Sequence, residues 1–170
     1  MDTKILIRPE TPADVAGIRD VTQRAFAGRR YSGGNEQDIV DALRARNALA
    51  ISLVAAHGGR ILGHVAFSLA SAEDASPGWY TLGPVSVHPD VQRQGIGQKL
   101  IITGIGKLRE LDASGCILIG NTNYYSRFGF VKAPQIAPAG EPKEHFMILC
   151  LGSSAPNCVV NFHEVFHQEG

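Results

Sequence analysis

Six residues, Gln92-Arg93-Gln94-Gly95-Ile96-Gly97, stand where a strand-like run ending at Val87 gives way to a helical pattern, across a polar turn holding His88 and Pro89. The first four N–H groups of a helix have no partner within it, and the helix dipole adds about half a positive charge at that end. Glycines at 95 and 97 remove side chains that would keep a phosphate from those amides. The chemistry this spacing suits is the seating of a pyrophosphate. Two familiar versions do not fit. A dinucleotide fingerprint needs a third glycine where Leu100 stands and a strand that opens a βαβ unit. A Walker-type loop needs Gly-Lys-Ser/Thr, whereas the sequence reads Gly97-Gln98-Lys99. A lone Gly-x-Gly also suits a plain strand–turn–helix whose glycines only allow close packing.

The elements that must position this turn follow from periodicity. Lys4–Arg8 alternates as a short strand, and Thr11-Pro12-Ala13-Asp14 has the cap, proline and acid of a helix start. Val15, Ile18, Val21, Ala25 and Phe26 then mark one helical face, Gly28–Gly34 breaks it, and Glu36–Arg46 resumes it. Ile51–Ala56 and Arg60–Leu69 read as strands joined by a hairpin at His57-Gly58-Gly59. Ala70–Pro77 reads as a loop and Tyr80–Val87 as a strand. Gly95–Ala113 is the clearest helix, with Gly104 and Gly106 inside it to let it pack closely on a sheet. Cys116–Ile119 reads as a strand buried on both faces, Tyr124–Phe130 as one helical turn, Pro134–Pro142 as a loop, and Phe146–Leu151 and Cys158–Phe162 as two final paired strands. With only the middle β–α–β able to cross over in parallel, the pattern predicts one mixed α/β (α+β) sheet flanked by helices, in one domain over residues 1–170.

Sixteen Lys+Arg balance sixteen Asp+Glu, which argues against a nucleic-acid partner, since phosphate neutralisation leaves a basic excess. The start carries charge at Asp2, Lys4 and Arg8 and lacks the apolar core of a secretory signal. No run approaches 18 uncharged apolar residues, so no membrane span is expected. Cys116, Cys150 and Cys158 lack metal spacing and sit in apolar runs, as reduced, buried thiols do, and the chain reads as cytoplasmic. The six histidines are too scattered for a metal site. His64 reads as a satisfied core or pocket histidine, His88 as part of the turn, and Arg29 and Arg30 as a solvated loop that could also meet an acidic group.

In context the six-residue turn resembles the Q/R-x-x-G-x-G/A acyl-CoA motif of the GNAT superfamily of N-acetyltransferases. A second segment, Tyr124-Tyr125-Ser126-Arg127-Phe128-Gly129-Phe130, resembles that superfamily's Tyr-x-x-x-Gly-Phe, and Ile7-Arg8-Pro9 before Val15 is similar to its opening. The resemblance covers nearly the whole chain, with two specific motifs in the right order.

That resemblance implies a GNAT-like fold: a mostly antiparallel central sheet with one parallel, splayed strand pair, here Tyr80–Val87 beside Cys116–Ile119. It implies acetyl-CoA as co-substrate, without a metal, with pantetheine entering the splay. Val85 and Val87 would offer backbone groups there, an N–H near Val85 in an oxyanion-type role. The amides of Gln94, Gly95, Ile96 and Gly97 would hold the pyrophosphate, with Arg93 and Gln92 in support. Tyr125 aligns with the tyrosine that protonates the departing thiolate. The chain departs from the family pattern in two places. Asn121 and Asn123 lie closer to Tyr125 than the family's asparagine, and no carboxylate lies between Trp79 and Val87, so Glu36, on the helix walling the acceptor pocket, becomes the candidate base. The implied reaction is direct transfer of an acetyl group to a primary amine of a small molecule, peptide or protein. The alternative is an acyl-CoA-binding module that has lost catalysis. Dimers are frequent in this fold, so a homodimer is an option.

Overall fold

The computed structural model describes residues 4–30, 32–152 and 155–167. Residues 1–3, which open the expected signal-free start, Tyr31 of the Gly28–Gly34 break, and residues 153–154 between the two final strands lie outside them. In chain order the elements are β1 (Leu6–Pro9), α1 (Val15–Phe26), α2 (Glu36–Ala45), β2 (Leu49–His57), β3 (Arg60–Leu69), β4 (Ser71–Ala72), β5 (Trp79–Val87), α3 (Ile96–Glu110), β6 (Gly115–Ile119), α4 (Thr122–Tyr125), β7 (Val131–Lys132), β8 (Phe146–Cys150) and β9 (Val160–Asn161). Short 3-10 turns fill several connections.

Local chemistry explains the joints. Gly58 and Gly59 supply φ angles of +56° and +83°, as a tight hairpin between β2 and β3 needs. Ahead of α1, the Arg8 guanidinium donates to both Asp14 carboxylate oxygens, at 2.7 and 3.0 Å, and the Thr11 N–H adds a third bond at 2.7 Å. Arg8 foremost, then Thr11, holds the Asp14 carboxyl well below the usual carboxylate range.

Seven strands form one sheet in the order β1-β2-β3-β5-β6-β8-β7, antiparallel throughout except for β5 beside β6. The mixed sheet with one parallel pair is the expected architecture. One face carries α3, whose Ile96, Leu100, Ile101 and Leu108 pack on Leu53, Val65, Phe67 and Leu82. Each such side chain fully buried contributes about 1.5–3 kcal/mol. The other face is covered by α1 and α2, through Ile18 and Val40 against Val54, and by the C-terminal segment, through Phe146, Val160 and Phe162 around Trp79.

Three expectations are corrected. The final run does not pair with Phe146–Cys150: only Val160–Asn161 is extended, and it pairs with β4, inside the stretch expected to be a loop. The physical reason is occupancy, since β6 and the two-residue β7 already take both edges of β8. Of the three thiols only Cys116 is buried; Cys150 ends β8 in an exposed position and Cys158 is half-buried. Only Gly104, not Gly106, is needed for close packing. A Cβ at Gly104 would overlap the Phe67 ring, whereas one at Gly106 meets nothing within 4 Å.

That difference predicts opposite signs in one helix. Gly104→Ala should destabilise the fold by about 1–3 kcal/mol through overpacking against Phe67. Gly106→Ala should stabilise it by about 0.5–1 kcal/mol through helix propensity. Denaturant unfolding of both variants checks the pair.

Candidate active site

The parallel ladder between β5 and β6 has three rungs, Trp79↔Gly115, Tyr80↔Cys116 and Thr81↔Ile117, and then stops. Beyond it each strand follows its antiparallel partner: β5 stays on β3 as far as Val87↔Gly63, and β6 stays on β8 as far as Ile119↔Phe146. A bulge in β5 across Gly83 and Pro84 shifts its register on β3 by one residue at the point of divergence. The two strands therefore part, opening a gap in mid-sheet. Past the bulge the His88 N–H bonds to Leu62 O, so by alternation Ser86 turns its main chain to β3, and Val85 and Val87 turn theirs to the gap.

The glycine turn closes the wide end of that gap. His88 Nδ1 accepts the Asp90 N–H at 3.1 Å, which shapes the turn as expected. Arg93 and Gly95 both take left-handed backbone, φ +65° and +83°, and Gly95 caps α3. The first helical bond runs from the Lys99 N–H to Gly95 O, leaving the amides of Ile96, Gly97 and Gln98 without helical partners. A Cβ at Gly95 would meet nothing within 4 Å, so open space lies before the helix start. The Ile96 side chain instead faces the core, close against Gly63. Arg93 and Gln94 are exposed. Gln92 does something the sequence does not disclose: its Nε2 donates to Val87 O at 3.0 Å while its Oε1 accepts from Arg29 Nη2 at 3.1 Å. One side chain thus ties the end of β5, the glycine turn and the loop after α1 together.

Across the gap, Asn121 caps α4 by accepting the Tyr124 N–H at 3.1 Å, which fixes the tyrosine pair. The Tyr125 ring packs on Gly120, 2.6 Å from where a Cβ would stand, and edge-on to Phe130. The hydroxyl that reaches the glycine turn is that of Tyr124, 3.6 Å from a Cβ placed on Gly97. Nothing in the sequence signals the reach of Tyr124. Partial burial raises the Tyr124 phenol, with the Arg127 guanidinium 5.1 Å over its ring acting the other way. Glu36 opens α2, half-buried, and accepts the Ser32 hydroxyl at 2.7 Å. The described contacts bring together β5, the glycine turn, α4 and, through Gln92, the loop after α1; Glu36 is bonded within its own loop.

Sequence and structure comparisons converge on one group of proteins. The profile of the acetyltransferase (GNAT) domain matches residues 49–132. The uncharacterized N-acetyltransferase YjhQ of Escherichia coli K12 is 34% identical over 141 residues, spanning 78% of this chain and 75% of that protein. A GNAT family acetyltransferase from Brucella melitensis, solved in complex with acetyl-CoA, superposes with a TM-score of 0.86 at 46% identity, over 97% of this chain and 99% of that one. The GNAT family N-acetyltransferase YhbS of Escherichia coli, solved with CoA, gives 0.90 at 27% identity over 100% and 96%.

The double tie through Gln92 is testable without any ligand. Two hydrogen bonds at about 0.5–1.5 kcal/mol net each hold the turn, so Gln92→Ala should destabilise the fold by about 1–3 kcal/mol. Denaturant unfolding checks this, and an unchanged midpoint contradicts it.

Proposed function

The chain belongs to the GNAT acetyltransferases and is an N-acetyltransferase, and from that premise we propose that it moves an acetyl group from acetyl-CoA to a primary amine by direct attack in a ternary complex. The supporting observation is the gap between β5 and β6, open beside a helix start whose amides lack partners. When bound, acetyl-CoA supplies a thioester carbonyl for the amine to attack and a thiolate to leave.

In this reading the amides of Gln94, Gly95, Ile96 and Gly97 hold the diphosphate, and the exposed Arg93 adds charge beside it. Gln92, already bonded at both ends, keeps the turn in place. Val85 and Val87, with main chain toward the gap, pair with the pantetheine amides, and the Val85 N–H polarises the acyl carbonyl where negative charge develops. Tyr125 gives its proton to the thiolate. Tyr124, whose hydroxyl nears Gly97, lines the passage between cradle and reacting centre. Glu36 stands on the acceptor side as a candidate base. The acceptor is a small-molecule, peptide or protein amine.

Four experiments test this. Acetyl-CoA incubated with the protein should release free thiol only when an accepting amine is present; inertness across a broad amine library would favour a binding module. Gly95→Glu puts a side chain and a negative charge before the helix start, and calorimetry should show acetyl-CoA affinity lowered by a large factor in a folded protein. Tyr125→Phe should lower kcat by about 10–100-fold with affinity kept, the low end of general-acid assistance because a thiolate already leaves readily. Tyr124→Phe should raise the KM for acetyl-CoA a few-fold and leave kcat near wild type. The reverse pattern would move the acid to Tyr124.

A further inference from the structure

Behind the parted strands, on the sheet face covered by α1 and α2, a buried histidine is bonded at one nitrogen and bare at the other. His64 of β3 is fully buried, and its Nε2 lies 2.7 Å from Ser52 Oγ on β2. The Ser52 hydroxyl donates to Glu10 Oε1, and Glu10 receives two N–H bonds from the Arg44 guanidinium of α2, each at 2.9 Å. Partial burial pushes the Glu10 carboxyl up, but its bonds from Arg44 and Ser52 more than reverse this and leave it lowered. An ionised carboxylate only accepts, so the single Ser52 proton points to Glu10 and the Ser52 oxygen accepts from His64 Nε2–H. The neutral ring therefore carries its lone pair at Nδ1.

That Nδ1 has no hydrogen-bond partner among the described residues, nor has the hydroxyl of Ser86, directly opposite His64 in the β3–β5 register. Further along the same face Ser68 and Thr81, also register partners, are buried and equally bare. Buried polar groups are nearly always satisfied, so this strip is where a water or a ligand N–H belongs. Ser86 sits between Val85 and Val87, whose main chain faces the gap, so the strip starts at the wall of the reacting centre.

We propose that His64, through a water held between its Nδ1 and the Ser86 hydroxyl, accepts the proton shed by the acceptor amine, with Ser52 and Glu10 as positioning residues. The proposal rests on the acetyltransferase reading. The ammonium N–H bond breaks and its electron pair stays on nitrogen, which forms the C–N bond to the acyl carbon. The C–S bond breaks, the thiolate takes its proton from Tyr125, and the second N–H proton, shed by the new amide nitrogen, restores the Tyr125 phenol. The shed proton converts His64 to imidazolium, which returns it to water as product leaves. Ser52 and Glu10 fix the tautomer and face the new positive charge with a negative one. Burial holds the imidazole down at about 4, with Glu10 opposing and Arg44 assisting, so the ring is neutral and able to accept at neutral pH. Among the described residues, the buried side chains of α1 are Ile18, Val21, Thr22 and Ala25, those of α2 are Gln37, Val40 and Leu43, and β5 places Ser86 opposite, none of them charged.

The full-length chain, acetyl-CoA and an amine that wild type turns over provide the test. His64→Gln should lower kcat by about 100-fold near pH 7, with the deficit closing as pH rises and solution supplies free amine. The KM for acetyl-CoA should not move. Glu10→Gln and Ser86→Ala should show smaller losses with the same pH shape, and they serve if the His64 variant folds poorly. Nitrogen-15 NMR of wild type should show Nε2 protonated and Nδ1 bare. A pH-independent fall in folded His64→Gln, a proton on Nδ1, or a pH-dependent loss in Glu36→Gln alone overturns the proposal. If wild type turns over no amine, the acetyltransferase reading fails and takes the relay with it.

Discussion

A parallel strand pair that stops after three rungs is the constraint on which the rest of this structure depends. Strands β5 and β6 cannot both remain with each other and with their antiparallel partners once the bulge at Gly83 and Pro84 turns β5. Antiparallel pairing wins on both sides, because each strand keeps a full ladder with β3 or β8 while losing only the shorter parallel one. The result is main chain in the middle of a sheet that no neighbouring strand pairs, Val87 O meeting, among the described residues, only the Gln92 side chain. Such groups demand a partner, and a pantetheine arm with its own amides is a chemically matched one.

The helix start works because the gap leads to it. Left-handed backbone at Arg93 and Gly95 reverses the chain within a few residues, so the amides at the head of α3 stand at the end of β5. Only glycine takes such an angle without strain, and the exposed Arg93 bears the other. Gln92 then ties that turn to Arg29 on the loop after α1 and to the end of β5.

The sheet face behind the gap is polar where a core is ordinarily apolar. His64, Ser68, Thr81 and Ser86 are buried there with bare polar atoms, while the opposite face of the same strands is Val65, Phe67 and Leu82 under α3. The alternation of strand side chains makes this division possible: one face is wholly apolar, while the other interleaves polar groups with its apolar packing.

The sequence by itself determined the local features. The hairpin glycines, the Thr11–Asp14 helix start, the amphipathic α3 and the glycine turn at its head are all set by neighbours a few residues apart, and spacing reports such contacts directly. The family, and with it the splayed pair, was legible from two motifs in order. Contacts between distant segments were not. That Val160–Asn161 pairs with β4 depended on β7 already occupying the free edge of β8; that Cys150 is exposed depended on where β8 ends. Tyr124 rather than Tyr125 turning its hydroxyl to Gly97 depended on how Asn121 caps α4 over Gly120. His64 could be read only as a satisfied core or pocket histidine, because the groups that set its tautomer, Ser52, Glu10 and Arg44, arrive from β2, from the chain after β1 and from α2. A proton's direction along that chain is fixed by which atoms touch, and only tertiary structure brings them together.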